Sequence, residues 1–484
     1  MDYKITGYEP EKLFHFFEEI SAIPRGSGNE KGISDYLVKF AKDRGLEVIQ
    51  DDAYNVVIKK AGSRGAEDHA PVMLQGHMDM VCEKRAGVEH DFEKDGLDLI
   101  IRDGRLTANG TTLGGDNGVA VALMLMVLDD DEIEHPPVEC VFTTEEEVGL
   151  NGAKALDKSV LKARTMINMD SEDEGVATVS CAGGLRVQFT KEIKRTTVQG
   201  SLLTLKVEGL LGGHSGQDID KERQNADLLM ARMIQRLLKE TKGQLVSFNG
   251  GTKDNAIPRE CEASLIYESD EEAAKAEELA CELAETYAEE LTPAEPDFSC
   301  EISCETNRTA EAIPQDAAKE FICAMRLAPN GIQKRNIKMD GFVVVSLNLG
   351  VVRTEEDRIV MIFSPRSSVA SLQDTKERLN TLAETFGFTV SHSSEYPGWS
   401  FKEDSPVREI CKESYKELFG EDLKIEAIHA GLECGLFSDA IKGLDAIAIG
   451  PTIANCHTPD EYLTLDSFER FYEFLKDVLS RLAK

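Results

Sequence analysis

Residues 70–81, APVMLQGHMDMV, decide how the N-terminal half of the chain folds. Their apolar run ends in Gly76 and polar residues, which indicates a short buried strand with polar groups at its end. Residues 119–130, VAVALMLMVLDD, predict a helix, and residues 138–146, VECVFTTEE, predict another strand. Strands and helices that alternate along the chain are typical of an α/β fold.

The flanking segments extend this pattern. Apolar residues at helical spacing predict two helices between Glu11 and Gly45. Near the C-terminus, residues 405–420 indicate a further helix, whereas residues 427–441 and 444–451 indicate a return to apolar strands and turns. The N-terminal and C-terminal parts of the chain therefore share the same pattern of predicted helices and strands.

The middle of the chain differs. From Gly183-Gly184 onward, residues 185–210 alternate as β-strands do, residues 227–240 and 271–292 have helical patterns, and residues 343–368 are typical of a hairpin. This mixture favours an open α/β sandwich.

The length of 484 residues also exceeds what a single hydrophobic core organises. We therefore expect one domain built from residues 1–184 and 395–484, and a second domain, residues 185–394, inserted into it.

Composition narrows the function. The 54 Lys and Arg against 88 Asp and Glu leave a net charge of −34, which disfavours nucleic acid and anionic membranes as partners. The longest apolar run, Val119 to Leu128, is well short of the roughly 20 residues that span a bilayer. Eleven cysteines without a CxxC pair, together with a start that lacks a signal-peptide pattern, favour the cytoplasm.

Polar residues follow the predicted strands. His77 and Asp79 are two residues apart, so on a strand they share a face, where His77 can bind a metal while a carboxylate orients its ring. Asp116 lies between a glycine-rich turn and a helix. Each has an ordinary alternative, as a surface residue or as a helix cap. The glycine-rich turn lacks the Lys-Ser/Thr of a phosphate-binding loop.

Five more residues, at three places in the sequence, are candidates for the same site. Glu145, Glu146 and Glu147 close an apolar strand, Asp170 ends another, and His457 lies near the C-terminus. Each is also compatible with a solvated turn. Together these imidazoles and carboxylates suit zinc, manganese or cobalt. Two metals that share a carboxylate activate a water, and a free glutamate accepts its proton, which is the chemistry of amide hydrolysis.

The motifs resemble those of the M20 metallopeptidase family, and most of all its aminoacyl-histidine dipeptidase branch. They are LQGHMDMV, GTTLGGDNG, TEEEVG, NMDSEDEG, GGHSG and CHTPDEYL, and the resemblance spans essentially the whole chain. It implies a zinc-peptidase-like catalytic domain, with a mixed sheet flanked by helices, and an inserted α/β sandwich that acts in closure or dimerisation.

The resemblance also implies roles for the metal-site residues. His77 and Asp170 would hold one divalent ion, Glu147 and His457 the other, and Asp116 would bridge them. Asp79 would orient His77, and Glu146 would be the general base. Aligned on the family's Glu-Glu-x-Gly pattern, Glu145 is the extra glutamate. A slip of one residue would instead make Glu145 the base and Glu146 the ligand.

In the inserted domain, the resemblance assigns His214 to the oxyanion of the tetrahedral intermediate. Asn255 and Arg366 resemble substrate contacts, and an arginine fork suits a C-terminal carboxylate. Glu433 resembles a residue that faces the substrate's amino group.

The expected function is hydrolysis of dipeptides, carnosine-like Xaa-His dipeptides among them, with two divalent ions, zinc first and manganese or cobalt as alternatives. A deacylase or tripeptidase of the same family, or a protein that only binds metal or peptide, remains an alternative. The resemblance suggests a homodimer through the inserted domain, although a large insert is also compatible with a monomer.

Overall fold

A computed structural model describes residues 3–336, 342–369 and 372–484 of the chain. It divides into two compact units. The first contains Met1–Cys181, Trp399–Ala427 and Leu432–Lys484, and the second contains Ala182–Gly398 and Ile428–Gly431. The second unit thus includes four residues, 428–431, from the C-terminal part of the sequence.

The secondary structure alternates in the first unit and becomes strand-rich in the second. The helices are α1 Glu11–Ser21, α2 Lys31–Asp43, α3 Gly115–Asp129, α4 Asn151–Ala155, α5 Ala226–Glu240, α6 Asp270–Leu291, α7 Gln315–Leu327, α8 Leu372–Thr385, α9 Pro406–Phe419, α10 Glu433–Ala440 and α11 Leu465–Leu482.

The strands follow in the same chain order. They are β1 Glu47–Gln50, β2 Val56–Lys60, β3 Val72–His77, β4 Leu99–Arg102, β5 Arg105–Ala108, β6 Val138–Thr143, β7 Thr165–Asn168, β8 Val176–Cys181, β9 Gly183–Glu192, β10 Thr196–Glu208, β11 Gly213–His214, β12 Gln244–Gly250, β13 Ala256–Ile257, β14 Cys261–Tyr267, β15 Ser299–Ala312, β16 Gly331–Arg335, β17 Val343–Thr354, β18 Arg358–Ser367, β19 Thr389–Tyr396, β20 Lys424–Ile428, β21 Asp445–Ala448, β22 Ile453–Ala454 and β23 Tyr462–Thr464.

The first unit is built on a mixed sheet with the strand order β1-β2-β6-β3-β7-β21-β8-β20. Its central strands β6, β3, β7 and β21 are parallel, whereas β1, β2 and β8 pair antiparallel with their neighbours. Parallel neighbours place their carboxyl ends at one edge of the sheet. The residues that follow β3, β6 and β7 therefore meet there, as the sequence predicted for an α/β domain.

Helix α3 forms the centre of this unit's core. Every residue from Val119 to Leu128 is buried, and the helix packs on β3 and on α1. A helix that is apolar on all sides is stable only when protein surrounds it. Each fully buried Leu or Met side chain contributes about 2 kcal/mol of hydrophobic free energy, so this helix anchors the sheet.

The second unit is an antiparallel sheet with the order β15-β10-β14-β12-β17-β18-β9-β19, to which β16 adds by pairing with β17. Alternate strand residues, such as Leu203, Leu205 and Val207, share one hydrophobic core with helices α5 to α8. The predicted hairpin is confirmed as β17 and β18. The prediction of an α/β fold with an inserted sandwich is confirmed.

One local prediction is wrong. Residues 427–441 were expected to form strand and turn, but Glu433–Ala440 form helix α10. Its buried residues, Glu433, Cys434, Gly435 and Phe437, crowd one end of an eight-residue helix. So short an apolar run carries no readable helical period.

Among the described residues, no helix combines the length and hydrophobicity that a membrane span requires. All eleven cysteines are free thiols.

The second unit buries one ionisable group without a compensating charge-assisted hydrogen bond. Asp227, in the first turn of α5, is fully buried. Within the described residues no nitrogen or oxygen donor reaches either carboxylate oxygen. Burial raises the pKa of Asp227 to about 8. The carboxyl group is therefore neutral at moderate pH and costly to ionise.

This predicts a pH dependence of stability. Because the pKa in the folded state exceeds the value of about 3.9 in the unfolded state, the neutral group's contribution is complete below pH 4 and is lost as the pH rises towards 8. Compared with wild type, Asp227→Asn should lose less stability between pH 5 and 8, by up to about 1.4 kcal/mol per pH unit. Urea unfolding midpoints at several pH values measure this. The exposed carboxylate variant Asp297→Asn is the control, and equal slopes for all three proteins would contradict the prediction.

Candidate metal centre and active site

The carboxyl ends of the parallel strands bring the predicted metal ligands together in the first unit. His77 is the last residue of β3, Glu146 and Glu147 follow β6, and Asp170 follows β7. Asp116 lies at the start of α3, and His457 lies in the connection between β22 and β23. Six residues from five places in the sequence thus share one edge of the sheet.

Two groups of potential ligands share Asp116. His77, Asp116 and Asp170 form one, and Asp116, Glu147 and His457 form the other, with the ligand atoms of each group within 4.8 Å of one another. Asp116 Oδ1 lies 3.0 Å from His77 Nε2, and its Oδ2 lies 3.2 Å from His457 Nε2. The two oxygens of one carboxylate therefore face two different groups.

The electrostatics of these groups fit divalent cations. The Asp116 and Glu147 carboxylates beside its ring raise the pKa of His457 to about 11, which shows how much negative charge surrounds this position. Burial raises the pKa of Asp170, which is a further sign of unneutralised negative charge. Glu147 Oε1 is buried and lies 3.0 Å from His457 Nε2, and His457 is its one close polar neighbour among the described residues. Oxygen and imidazole donors in this mixture suit zinc, manganese or cobalt.

Asp79 contacts both His77 and the loop that carries Glu146 and Glu147. It is fully buried, and its Oδ1 lies 3.3 Å from His77 Nδ1. The same carboxylate accepts hydrogen bonds from Ser27 Oγ at 2.8 Å and from the backbone N–H groups of Glu146 and Glu147 at 3.1 and 3.3 Å. A carboxylate behind a ligating imidazole fixes its tautomer and orientation. Asp79 also fixes the loop that carries both glutamates.

The three consecutive glutamates point in different directions. Glu145 has a positive φ of 47°, and its side chain accepts a hydrogen bond from Asn151 at 2.9 Å. Glu147 belongs to the group of Asp116 and His457, and Glu146 approaches His77. Burial, reinforced by the Asp170 and Glu433 carboxylates, raises the pKa of Glu146 well above its ordinary value. The positive φ of Glu145 turns its side chain away from the other two.

Glu433 lies beneath this cluster, at the start of α10. Its carboxylate is fully buried, and Oε2 accepts hydrogen bonds from Thr143 Oγ1 at 2.7 Å and from Gln75. Gln75 in turn accepts one from Asn168 at 2.6 Å. Burial, with Asp170, raises the pKa of Glu433 to about 7, while its Oε1 accepts no hydrogen bond from the described residues.

A further group of three potential ligands includes a cysteine. Glu172 and Cys456 approach Asp116 closely enough to form a third set of potential ligands. Cys456 directly precedes His457, and burial raises its pKa above the ordinary thiol value. A protonated thiol is a poor metal ligand, so this set is weaker than the two that contain histidine.

The second unit contains His214, Asn255 and Arg366. His214 Nδ1 accepts the backbone N–H of Gln217 at 3.0 Å, so the proton of the neutral ring lies on Nε2. Burial and Arg366 lower the pKa of His214, which keeps the ring neutral. The strand of His214 pairs with the strand that begins one residue after Asn255. Nε2 is therefore available as a neutral hydrogen-bond donor.

Arg366 is buried within the same unit. It donates a hydrogen bond to Tyr396 Oη at 3.0 Å. A Cβ atom on Gly216 would lie 3.1 Å from His214 Cε1 and 3.3 Å from Arg366 Nε, so both side chains converge on that glycine. His429 lies nearby and bonds Ser346 Oγ through Nε2 at 2.7 Å. Burial, with Arg366, lowers the pKa of His429 to about 3.

Sequence reasoning missed several residues of these clusters. Gln75 and Thr143 lie inside the quoted strand motifs, yet strand patterns do not distinguish a buried amide from a core residue. His429 could have been found, because histidine is rare in this chain and His429 lies only four residues before the candidate Glu433. Glu461 lies inside the quoted motif CHTPDEYL, four residues after His457, whereas Arg25 lies in none of the quoted motifs.

A mixed sheet whose parallel strand ends carry two carboxylate and histidine groups around one shared aspartate defines the class of metal-dependent α/β hydrolases. Residues 73–481 match the model of peptidase family M20/M25/M40, and the chain belongs to that family.

Two similar proteins span the whole chain. The chain is 35% identical over 486 residues to the cytosol non-specific dipeptidase of Escherichia coli strain K12, covering 99% of both sequences. The crystal structure of aminoacylhistidine dipeptidase from Vibrio alginolyticus superposes with a TM-score of 0.92 at 35% identity, covering 99% of this chain and 98% of that one. Aminopeptidase PepT from Bacillus cereus, at 17% identity and a TM-score of 0.57, covers 99% of this chain and 100% of its own and shares the fold.

The different directions of the glutamates predict different effects on metal binding. Glu147→Gln removes a charged oxygen from the Asp116 and His457 group and should weaken one of two cation-binding events by at least about 100-fold, because losing even an outer contact costs 10- to 100-fold. Glu145→Gln should bind cations as wild type does. Titration of chelator-treated protein with cobalt(II) measures both. Wild-type cobalt affinity in Glu147→Gln, together with weakened binding in Glu146→Gln, would show that the register is slipped by one residue.

Proposed function

We propose that this chain is a metal-dependent dipeptidase that holds two divalent cations and cleaves dipeptides with a free amino terminus, Xaa-His dipeptides among them. One observation carries the proposal: Asp116 directs its two oxygens to His77 and His457, with Glu146 beside the first of them. The similarity to the dipeptidases of E. coli and V. alginolyticus over the whole chain supports the substrate class.

His77 and Asp170 would hold one cation, Glu147 and His457 the other, and Asp116 would bridge them. Zinc suits this mixture of imidazole and carboxylate first, and manganese or cobalt also fit. When bound, the cations would polarise the scissile carbonyl and make water acidic enough to react near neutral pH. Asp79 would keep His77 in the tautomer that leaves Nε2 free for the metal.

Glu146 is the proposed general base. Its backbone is held by Asp79 at 3.1 Å, whereas Glu145 is bonded to Asn151. These contacts support the register in which Glu146 is the base and Glu147 the ligand. Glu146 would take the proton of the attacking water and return it to the leaving amine. Its raised pKa in the cation-free site would fall as cations neutralise the neighbouring carboxylates.

The second unit would supply substrate contacts. His214, whose Nε2 carries the ring proton, would donate to the oxyanion of the tetrahedral intermediate. Arg366 would bind the C-terminal carboxylate, and Asn255 would contact the substrate backbone. In the first unit, Glu433 Oε1, which accepts no hydrogen bond from the described residues, would receive the substrate's amino group.

The domain roles follow the same proposal. Residues 1–184 and 395–484 would form the catalytic domain, and residues 185–394 the inserted domain for closure and dimerisation. A homodimer through the insert and a cytoplasmic location complete the proposal. The name of the E. coli relative, a cytosol dipeptidase, supports the location.

The deciding experiment uses purified protein, stripped of metal and reloaded with zinc, manganese or cobalt. We expect metal-dependent release of free amino acids from β-alanyl-histidine and from plain dipeptides. Dipeptides with an amidated C-terminus should react far more slowly, because Arg366 loses the carboxylate it would pair with. Hydrolysis of N-acylated amino acids alone would indicate a deacylase. Two bound cations with no turnover of any substrate would favour a binding protein.

Substitution of the base should separate catalysis from metal binding. Glu146→Gln keeps the size of the side chain but cannot accept a proton, so turnover should fall by about 100- to 10,000-fold. Metal content, measured by elemental analysis, should stay at the wild-type level. Glu145→Gln is the matched control and should retain activity. Loss of both metal and turnover in Glu146→Gln would contradict its assignment as an unligated base.

A further inference from the structure

Glu461 makes an unusual set of contacts in the first unit. Its carboxylate is almost fully buried and accepts backbone N–H groups from four consecutive residues, 113 to 116. The distances are 2.7 Å from Leu113 and 3.0 Å from Gly114 to Oε2, and 2.7 Å from Gly115 and 3.3 Å from Asp116 to Oε1. One side chain therefore holds the whole loop that leads into Asp116.

These four N–H groups have no partner within helix α3. The helix starts at Gly115, and Asp116 still has non-helical dihedral angles of φ −77° and ψ 107°. The first N–H groups of a helix lack intrahelical acceptors and carry a partial positive charge. A buried carboxylate from elsewhere in the chain satisfies them here.

Arg25 holds the same loop from its carbonyl side. It is one of the largest fully buried side chains, and it donates to the backbone oxygens of Met78 at 3.1 Å, Asp79 at 3.2 Å and Gly114 at 2.5 Å. One guanidinium thus joins the end of the His77 strand to the loop before Asp116. Two elements that carry potential metal ligands are fixed relative to each other.

The glycines of the LGGDNG motif make room for this arrangement. A Cβ atom on Gly114, which has a φ of +64°, would lie 2.5 Å from Arg25 Nη2. On Gly118 it would lie 2.7 Å from the same atom, and on Gly115 it would lie 3.2 Å from Glu461 Oε1. The motif therefore lets two charged side chains reach the backbone, which accounts for a glycine-rich turn without the Lys-Ser/Thr of a phosphate-binding loop.

Glu461 also lies four residues after His457 in the segment CHTPDEYL. The segment that supplies His457 is thereby tied to the loop that supplies Asp116. We propose that Glu461 and Arg25 are positioning residues that hold Asp116 at the shared position between the two cations, with Glu461 also setting the distance to His457. This inference rests on the proposed function, since it takes Asp116 and His457 as ligands.

A merely structural helix cap would affect stability alone. The proposal instead predicts a selective effect, because the group of Asp116, Glu147 and His457 is linked to Glu461 twice. Asp116 donates its N–H group to Glu461, and His457 lies four residues before Glu461 in the chain. Glu461→Gln preserves the shape but replaces one acceptor oxygen with an NH₂ group that faces N–H donors. Asp116 and His457 would then no longer be held together.

The test is a cobalt(II) titration of chelator-treated, full-length protein, followed by calorimetry and visible absorption. Glu461→Gln should bind one cobalt ion as wild type does and the second about 10- to 100-fold more weakly, as expected for a contact behind the ligands. At saturating cobalt, kcat for a dipeptide should fall while KM stays near the wild-type value. Glu473→Gln, an exposed carboxylate on α11, is the matched control and should behave as wild type.

Arg25→Lys provides a second variant in case Glu461→Gln does not fold. It keeps the charge but loses the fork that joins the end of β3 to the loop before Asp116, so the same selective loss is expected to a smaller extent. Glu461→Asp, which retains the carboxylate, should restore part of the second affinity. Wild-type affinity for both ions in folded Glu461→Gln, or equal weakening of both, would overturn the inference. If wild type binds two ions but cleaves no dipeptide, the proposed function fails, while the affinities still decide the positioning role.

Discussion

The crowding of carboxylates around Asp116 is the constraint on which the first unit depends. Glu146 and Glu147 follow β6, Asp170 follows β7 and Glu433 begins α10, and all four carboxylates approach the same small volume. Like charges at such distances, out of water, are stable only if cations or protons neutralise them. The raised pKa values of Glu146, Asp170 and His457 reflect this crowding of negative charge.

Neighbouring side chains form hydrogen bonds with the polar groups that surround these carboxylates. Asp79 accepts the N–H groups of the glutamate loop, Gln75 links Asn168 to Glu433, and Glu461 accepts the N–H groups that lead into Asp116. Each of these contacts runs between segments far apart in sequence. These contacts fix the backbone at the candidate ligand positions, as groups behind the ligands do in metal centres.

Much of the fold was readable from the sequence, because its elements have strong local patterns. The buried run of α3, the alternating strands of the insert and the hairpin of β17 and β18 all showed their periods. Helix α10 was missed because eight residues are too few to show a helical period. For the first unit, the residue types and their places in turns and after strands selected the candidate metal-site residues. The family resemblance selected Glu433 and the candidates of the second unit. The contacts of Arg25 and Glu461 could not be predicted, since their partners are backbone carbonyl and N–H groups, which every residue type carries.

The four residues Ile428–Gly431 have a consequence for how the molecule can be divided. They belong to the second compact unit although they lie beyond the end of the insert in sequence, and they carry His429, which bonds Ser346 Oγ at 2.7 Å. A fragment that contained only Ala182–Gly398 would lack His429, and Ser346 would lose its hydrogen-bond partner. The second unit is thus a discontinuous module, and a gene fragment encoding one uninterrupted stretch would not reproduce it.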